Sequence, residues 1–225
     1  MQVRLKTNLT SEEYARQQAW QEAMLDGCPL HPEGGCGIRR HGSYERKAPE
    51  GLQIARFYCR TGQTTFSLLP DFAAARLSAT LAEVEQAVET AETAPSLSAA
   101  ARELRPELDD ERSALRWLRR RLVPVQTALT ALVTSVPELF GTAARIGALR
   151  ARLELRGPRV LVRLRAIGAS FLGQLRAPLG FSYRPWATPG SWGRRNTSWG
   201  QTQEEGPGNG SVRPERPGSP RRTHR

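Results

Sequence analysis

Cys28, His31, Cys36, His41 and Cys59 are the side chains of this sequence whose types and spacing could hold a metal ion. Zinc takes four nitrogen or sulfur ligands in a tetrahedron, commonly from two tight knuckles of C-x2-C form. Cys28-x2-His31 has that spacing, and Cys36 followed by Gly37 offers another version of a first knuckle. The run Arg56-Phe-Tyr-Cys59, then Arg60-Thr-Gly62-Gln63, then Thr64-Thr-Phe66 has the strand, turn and strand of a second. Position 62 or 63, where its other ligand belongs, holds Gly62 or Gln63, so one ligand position of the ribbon pattern is missing. Three readings stand open. Zinc is held by Cys28, Cys36, Cys59 and one histidine, with His31 completing the set. Or Cys28-x2-His31-x4-Cys36-x4-His41 binds it and leaves Cys59 free. Or the unit is a degenerate ribbon without metal, and Cys59 is a small buried thiol.

Arg112, Arg116, Arg119 and Arg120 make the second chemical pattern. At about 100° per residue they share one stripe of a helix, opposite Leu115, Leu118 and Leu122 and the flanking Ala114. Leucines on one side dock such a helix, and guanidinium groups on the other can grip phosphates or guanine edges. Trp117 lies beside the stripe, at the rim of the core. Asp109, Asp110 and Glu111 suit the positive start of a helix but repel phosphate. The competing reading is a merely solvated face. Of the 33 basic residues only Lys6 and Lys47 are lysines, as a GC-rich coding sequence would also produce.

Other chemistries lack their residues. Two-metal nucleotidyl transfer needs spaced carboxylates, and the aspartates are Asp26, Asp71, Asp109 and Asp110, none beyond 110. The histidines are His31, His41 and His224, and no Gly-rich phosphate loop is present. A binder, not an enzyme, is expected. The net charge of +11 is divided unevenly, −5 over residues 1–111 and +16 over 112–225, so a polyanion would meet the second half. The longest uncharged stretch, Leu122 to Pro137, is too short and too polar to span a membrane. Without an apolar leader, and with three cysteines confined to the first 60 residues, the chain reads as cytoplasmic.

These patterns need elements to carry them. Residues 1–26 are expected as a helical or flexible segment, with one helix over Ser11–Leu25. Ile38–Arg46, Leu52–Tyr58 and Thr64–Leu69 have strand composition and make a ribbon-like unit over 27–70. A unit this small needs a metal or a neighbour to fold. From Asp71 the period turns helical: roughly 77–93, then Leu97–Leu104 capped by Ser96, then Glu111 to about Val123. Pro124 kinks that helix or starts another, which runs to Val136. Thr142–Leu155 and Arg159–Leu175 follow. The last is amphipathic through Leu161, Leu164, Gly168, Phe171, Leu172 and Leu175, and could pack inward, dimerise or lie on a membrane surface. Leu97–Leu104, the break from Arg105 to about Asp109, and Arg112–Leu122 have a helix-turn-helix layout with a long turn. Residues 178–225, rich in Arg, Gly and Pro, read as a disordered basic tail in which Trp186, Trp192 and Trp199 could stack on single strands.

Several runs carry a resemblance. They are Cys28-Pro-Leu-His-Pro-Glu-Gly-Gly-Cys-Gly, Arg40-His-Gly-Ser-Tyr-Glu-Arg46, Ala55-Arg-Phe-Tyr-Cys59 and Thr65-Phe-Ser-Leu-Leu-Pro70. Together they look like an uncharacterised bacterial family associated with mobile elements. That family resembles the N-terminal zinc-ribbon and helix-turn-helix portion of insertion-sequence transposases. The later Ser96-Leu-Ser-Ala-Ala-Ala-Arg-Glu-Leu104 and Leu115-Arg-Trp-Leu-Arg-Arg120 are similar to the transposase helix-turn-helix pattern. The resemblance covers about 25–125. It implies DNA binding, and zinc ligation at Cys28 and Cys59. The departure from the pattern is at Gly62/Gln63.

The expectation is an α+β chain, mainly α. It has a zinc-ribbon-like unit at 27–70, a helix-turn-helix-like region at 71–136, further helices at 137–177 and the tail. Its expected function is non-catalytic DNA binding of transposase-associated type through Arg112, Arg116, Arg119 and Arg120, with zinc at Cys28, His31, Cys36 and Cys59. The alternative is an interaction protein whose helices dimerise or bind a partner, with the C-terminal helices as the homodimer surface. No membrane partner is expected.

Overall fold

A computed structural model of the chain describes residues 1–171, 175 and 177–181. The chain is mixed α+β. Three strands form consecutive antiparallel hairpins: β2 (Arg39–Glu45), β3 (Gln53–Cys59) and β4 (Thr64–Pro70). Their ends fall within a residue or two of the expected runs, because turn residues bound each one. The β2–β3 connection carries Pro49 and Gly51, the latter at φ 73°. Arg60–Gln63 turns β3 into β4, with the Gln63 amide bonded to the Arg60 carbonyl.

A fourth strand, β1 (Gln2–Leu5), runs parallel to β4 at the sheet edge, giving the order β1-β4-β3-β2. This corrects the expected N-terminal segment. Only the alternation of Val3 and Leu5 marks it in the sequence, and four residues cannot make a strand without β4 to pair with. The helix expected over 11–25 is also shorter. α1 (Ser11–Arg16) opens on a Thr10–Glu13 capping box and stops where Gln18 takes a positive φ of 53°. That turn sends Trp20 and Ala23 back onto the sheet.

The sheet has two unlike faces. One buries Ala55, Phe57, Phe66 and Leu68 together with Cys28, Cys36 and Cys59. The other buries Ile54 and Leu69 against Tyr14, Leu52, Ala73 and Ala75 at one end only.

The helices begin at α2 (Leu81–Thr93), later than position 77, because the Thr80–Glu83 capping box sets its first turn. α3 (Leu97–Leu104) starts at its Ser96 cap as expected. α4 (Glu111–Ser135) runs through Pro124 as one helix, so of the two expected outcomes no second helix starts there. Pro124 brings no N–H to the carbonyl of Arg120, a residue on the solvated side where water can serve that carbonyl. Beyond Pro124 the buried row Val125, Ala128, Leu129, Leu132 and Val133 holds the helix in register against its neighbours.

α5 (Pro137–Phe140) and α6 (Ile146–Arg152) follow, the latter shorter than the 142–155 expected. α7 (Val160–Ile167) gives way at Gly168 to a 3-10 turn ending at Phe171, not to a helix reaching Leu175. Leu161, Leu164 and Leu175, part of the suggested dimer face, are buried in the chain's own core with α2 and α4. The boundary drawn at 177/178 also moves: Leu179 is fully buried in that core. The rest of the expected tail, 182–225 with its three tryptophans, lies outside the described residues.

Two arginines, half-buried Arg46 and buried Arg165, bond the segments that connect sheet and helices. Arg46 donates to the carbonyls of Ala74 and Leu77. Arg165 of α7 is fully buried and donates to the carbonyls of Asp71 at 2.9 Å, Ala73 at 2.6 Å and Leu179 at 2.9 Å, and also to those of Pro70 and Pro178. Burial lowers its pKa to about 9, against the pull of Asp71, which leaves it cationic at neutral pH. Among the described residues no helix is long and apolar enough to cross a membrane.

Candidate metal centre and arginine face

The metal-type side chains meet beneath one end of the sheet. Cys28 and His31 come from a tight turn before β2, closed by the His31 amide on the Cys28 carbonyl at 3.0 Å. Cys36 follows after Gly34 and Gly35, both at positive φ, which fold the loop back on itself. Cys59 ends β3. Donor atoms of Cys28, His31, Cys36 and Cys59 all lie within 4.8 Å of one another. His41 is not among them. It stands exposed on β2 with its ring 5.7 Å from that of Tyr58, so the structure does not assemble the 28/31/36/41 set.

Two of the distances match those around one ion. Tetrahedral bonds of about 2.3 Å to sulfur and 2.05 Å to nitrogen put sulfur and nitrogen about 3.5 Å apart. His31 Nδ1 lies 3.5 Å from Cys28 Sγ and 3.4 Å from Cys59 Sγ. The three thiols are almost fully buried, between 0% and 5% exposed. Burial pushes the Cys28 thiol up to about 11. Burial also works upward on Cys36, but hydrogen bonds from the Cys28 and Cys59 thiols and from backbone amides outweigh it and hold Cys36 below the usual thiol range.

Gly62 explains the missing ligand. Its amide donates to Cys59 Sγ at 3.2 Å, as a knuckle amide serves a thiolate. A Cβ added there would stand 3.3 Å from Cys59 Sγ, 3.4 Å from His31 Cε1 and 2.7 Å from Leu30 Cδ1. The histidine ring from the first turn thus abuts the place from which a fourth ligand would otherwise reach. Sequence spacing leaves the vacancy at 62 or 63. Only the folded loop brings His31 to it.

The arginine face is set by the helical cluster. Ala87, Ala100, Ala101, Ala114 and Leu118 pack α2, α3 and α4 closely, with Leu115 and Trp117 at the edge. Asp110 caps α4 by accepting from the amides of Arg112 and Ser113 at 3.0 and 3.1 Å. Its carboxyl is held below the usual range, first by the Ser113 hydroxyl and then by the Arg112 amide. Arg112, Arg116, Arg119 and Arg120 are all exposed and line one shallow, open hollow. Among the described residues none of the four is ion-paired. Arg121 instead turns back over Trp117, 3.9 Å from its ring, and Arg105 of the preceding turn covers the ring at 4.9 Å.

Two groupings escaped the reading of the sequence. One is Arg165, which stands four residues after Leu161 on the apolar face of its helix, a position that was legible. The other is the row Glu85, Glu89 and Glu92 on α2, whose partners lie on distant helices and left no local signal. Set against protein-family models, curated proteins and solved structures, the chain matches none of them.

Proposed function

We propose that this chain is a non-catalytic DNA-binding protein of the transposase-associated type, with a zinc-ribbon-like unit and a helix-turn-helix-like α3–α4 pair. Zinc would be held by Cys28, His31 through Nδ1, Cys36 and Cys59, and would supply structure, since four protein ligands leave no open position for chemistry. The small sheet gains from the ion the cross-link that its modest core lacks. α4 would enter the major groove with Arg112, Arg116, Arg119 and Arg120 toward bases and phosphates.

The observation that carries the DNA reading is the unpaired arginine row on the solvent side of α4. Four guanidinium groups without carboxylate partners form a charge stripe that an anion can neutralise. A purely solvated face would also carry arginines, and binding selection separates the two. The full chain, selected against a random duplex pool at physiological salt, is expected to enrich a motif. Arg116→Ala with Arg120→Ala is expected to lower affinity and to flatten its salt dependence by about one unit of slope for each phosphate that is no longer neutralised. No motif, or unchanged affinity and slope in a folded variant, would sink the assignment.

A further inference from the structure

The half of the sheet surface that the helices leave uncovered is a second basic surface, separate from α4. The strand register places Arg39 beside Tyr58, Tyr58 beside Thr65, and Arg56 beside Ser67, which in turn pairs with Gln2. Paired residues of neighbouring strands share a face. All six are half-buried or exposed, and His41 stands exposed with its ring beside Tyr58. Arg56 lies over the ring of Tyr44 at 5.9 Å, which holds its guanidinium along the sheet. No carboxylate occupies any of these positions, because Glu45 pairs with Gln53 on the opposite face. Among the described residues neither Arg39 nor Arg56 is ion-paired.

A sheet surface with standing rings, unpaired guanidinium groups and short hydroxyl side chains matches one chemistry well. Nucleobases offer flat faces to the rings, and the linking phosphates offer charge to the arginines. A duplex hides its base faces and could use the arginines but not the rings. We propose that this face binds a single strand of nucleic acid, with Tyr58 and His41 stacking on bases and Arg39 and Arg56 gripping the backbone. Only base planes and phosphates are engaged, so DNA and RNA strands are taken alike. The proposal does not depend on the α4 reading.

The test uses the full chain and labelled oligothymidylate and oligouridylate of about twelve nucleotides, a length within the usual range of such sites. Tyr58→Ala is expected to weaken both by about tenfold, and Tyr58→Phe to restore the affinity, because the ring rather than the hydroxyl stacks. Arg56→Gln is expected to reduce the salt slope by about 0.7. Arg116→Ala should leave both strands bound as before, although it weakens duplex binding if α4 reads DNA. A strand held only by the basic C-terminal segment would be indifferent to Tyr58 and Arg56, and that result overturns the proposal. So does failure of the full chain to bind either strand. Should Tyr58→Ala fail to fold, the slope of Arg56→Gln decides.

Discussion

The four-residue cluster shows how little sequence distance says about a ligand set. Cys28, His31 and Cys36 are close in the chain, and Cys59 joins them because β3 ends above their loop. If zinc sits there, native mass spectrometry of the chain should show one ion, and Cys59→Ser should lose it to a mild chelator. A chain that carries no metal yet keeps its fold would leave the cluster as packed thiols. Gly62→Ala is a finer probe. Leu30 can swing away from the added methyl, but Cys59 Sγ and the His31 ring have to stay where the ion needs them. The variant should therefore give up zinc faster in chelator competition and lose about 1–2 kcal/mol of stability. Unchanged metal retention would show that the ring has room to move.

At the level of elements, α2 does more than cover the core. The helices α6 and α7 have no side-chain cap of their own. Glu92 accepts from the Ile146 amide at 3.1 Å, and fully buried Glu85 accepts from the Leu161 amide at 2.9 Å, so α2 caps both from outside. Arg150 of α6 answers the charges, bonding Glu85 at 3.0 Å and Glu89. Glu85→Ala should cost on the order of 3 kcal/mol, because it strands a buried amide and removes a partner of Arg150. Urea denaturation would measure it, and a loss below about 1 kcal/mol would show that water replaces the carboxylate.

Acid should act on the same network. The Arg150 hydrogen bond holds Glu89 below the usual carboxylate range, and Asp110 is held low at the α4 cap. A depressed carboxyl contributes stability above its unfolded value of about 4 and loses it as pH falls through the folded value. Glu92 runs the other way: burial raises its carboxyl, so its ionisation as pH rises offsets part of the gain. The thermal midpoint should accordingly be flat near neutrality and fall below about pH 4. A midpoint that rises on acidification would mean that Glu92 outweighs the depressed carboxyls, which include Glu13 and Glu107 beside Glu89 and Asp110.

At the scale of the whole molecule, sheet and helices are joined by polar contacts as well as by apolar packing. Arg165 collects carbonyls from the end of β4, from the turn after it and from the 178–179 segment, so one side chain links three stretches of chain. Arg165→Met keeps the volume and the apolar stem but leaves those carbonyls without their donor. The expected loss is several kcal/mol, about 3–5. A near-neutral effect in thermal unfolding would mean that the carbonyls find water. The molecule also separates two basic surfaces, the arginine row of α4 and the Arg39–Arg56 end of the sheet, so the duplex binding proposed for the first and the single-strand binding proposed for the second should be separable by substitution.

The three hairpin strands, the cap at Ser96, an aspartate cap at 109 or 110 and the division of α4 into an arginine row and a leucine row were legible because each rests on local chemistry. Turn residues stop strands, hydroxyls and carboxylates cap helices, and a period near 3.6 sorts faces. The candidate metal set Cys28, His31, Cys36 and Cys59 was legible from residue types and the knuckle-and-strand pattern, with His41 in place of Cys59 as the competing set, and the fold brings together the donors of the first. Tertiary structure decided what depends on partners far along the chain. β1 exists because β4 is there to pair with it. α4 crosses Pro124 because its buried row packs on other helices. Buried Glu85 takes the Leu161 amide and buried Arg165 the Ala73 carbonyl, each more than seventy residues away. Such contacts offset a desolvation cost that no local stretch of sequence reveals.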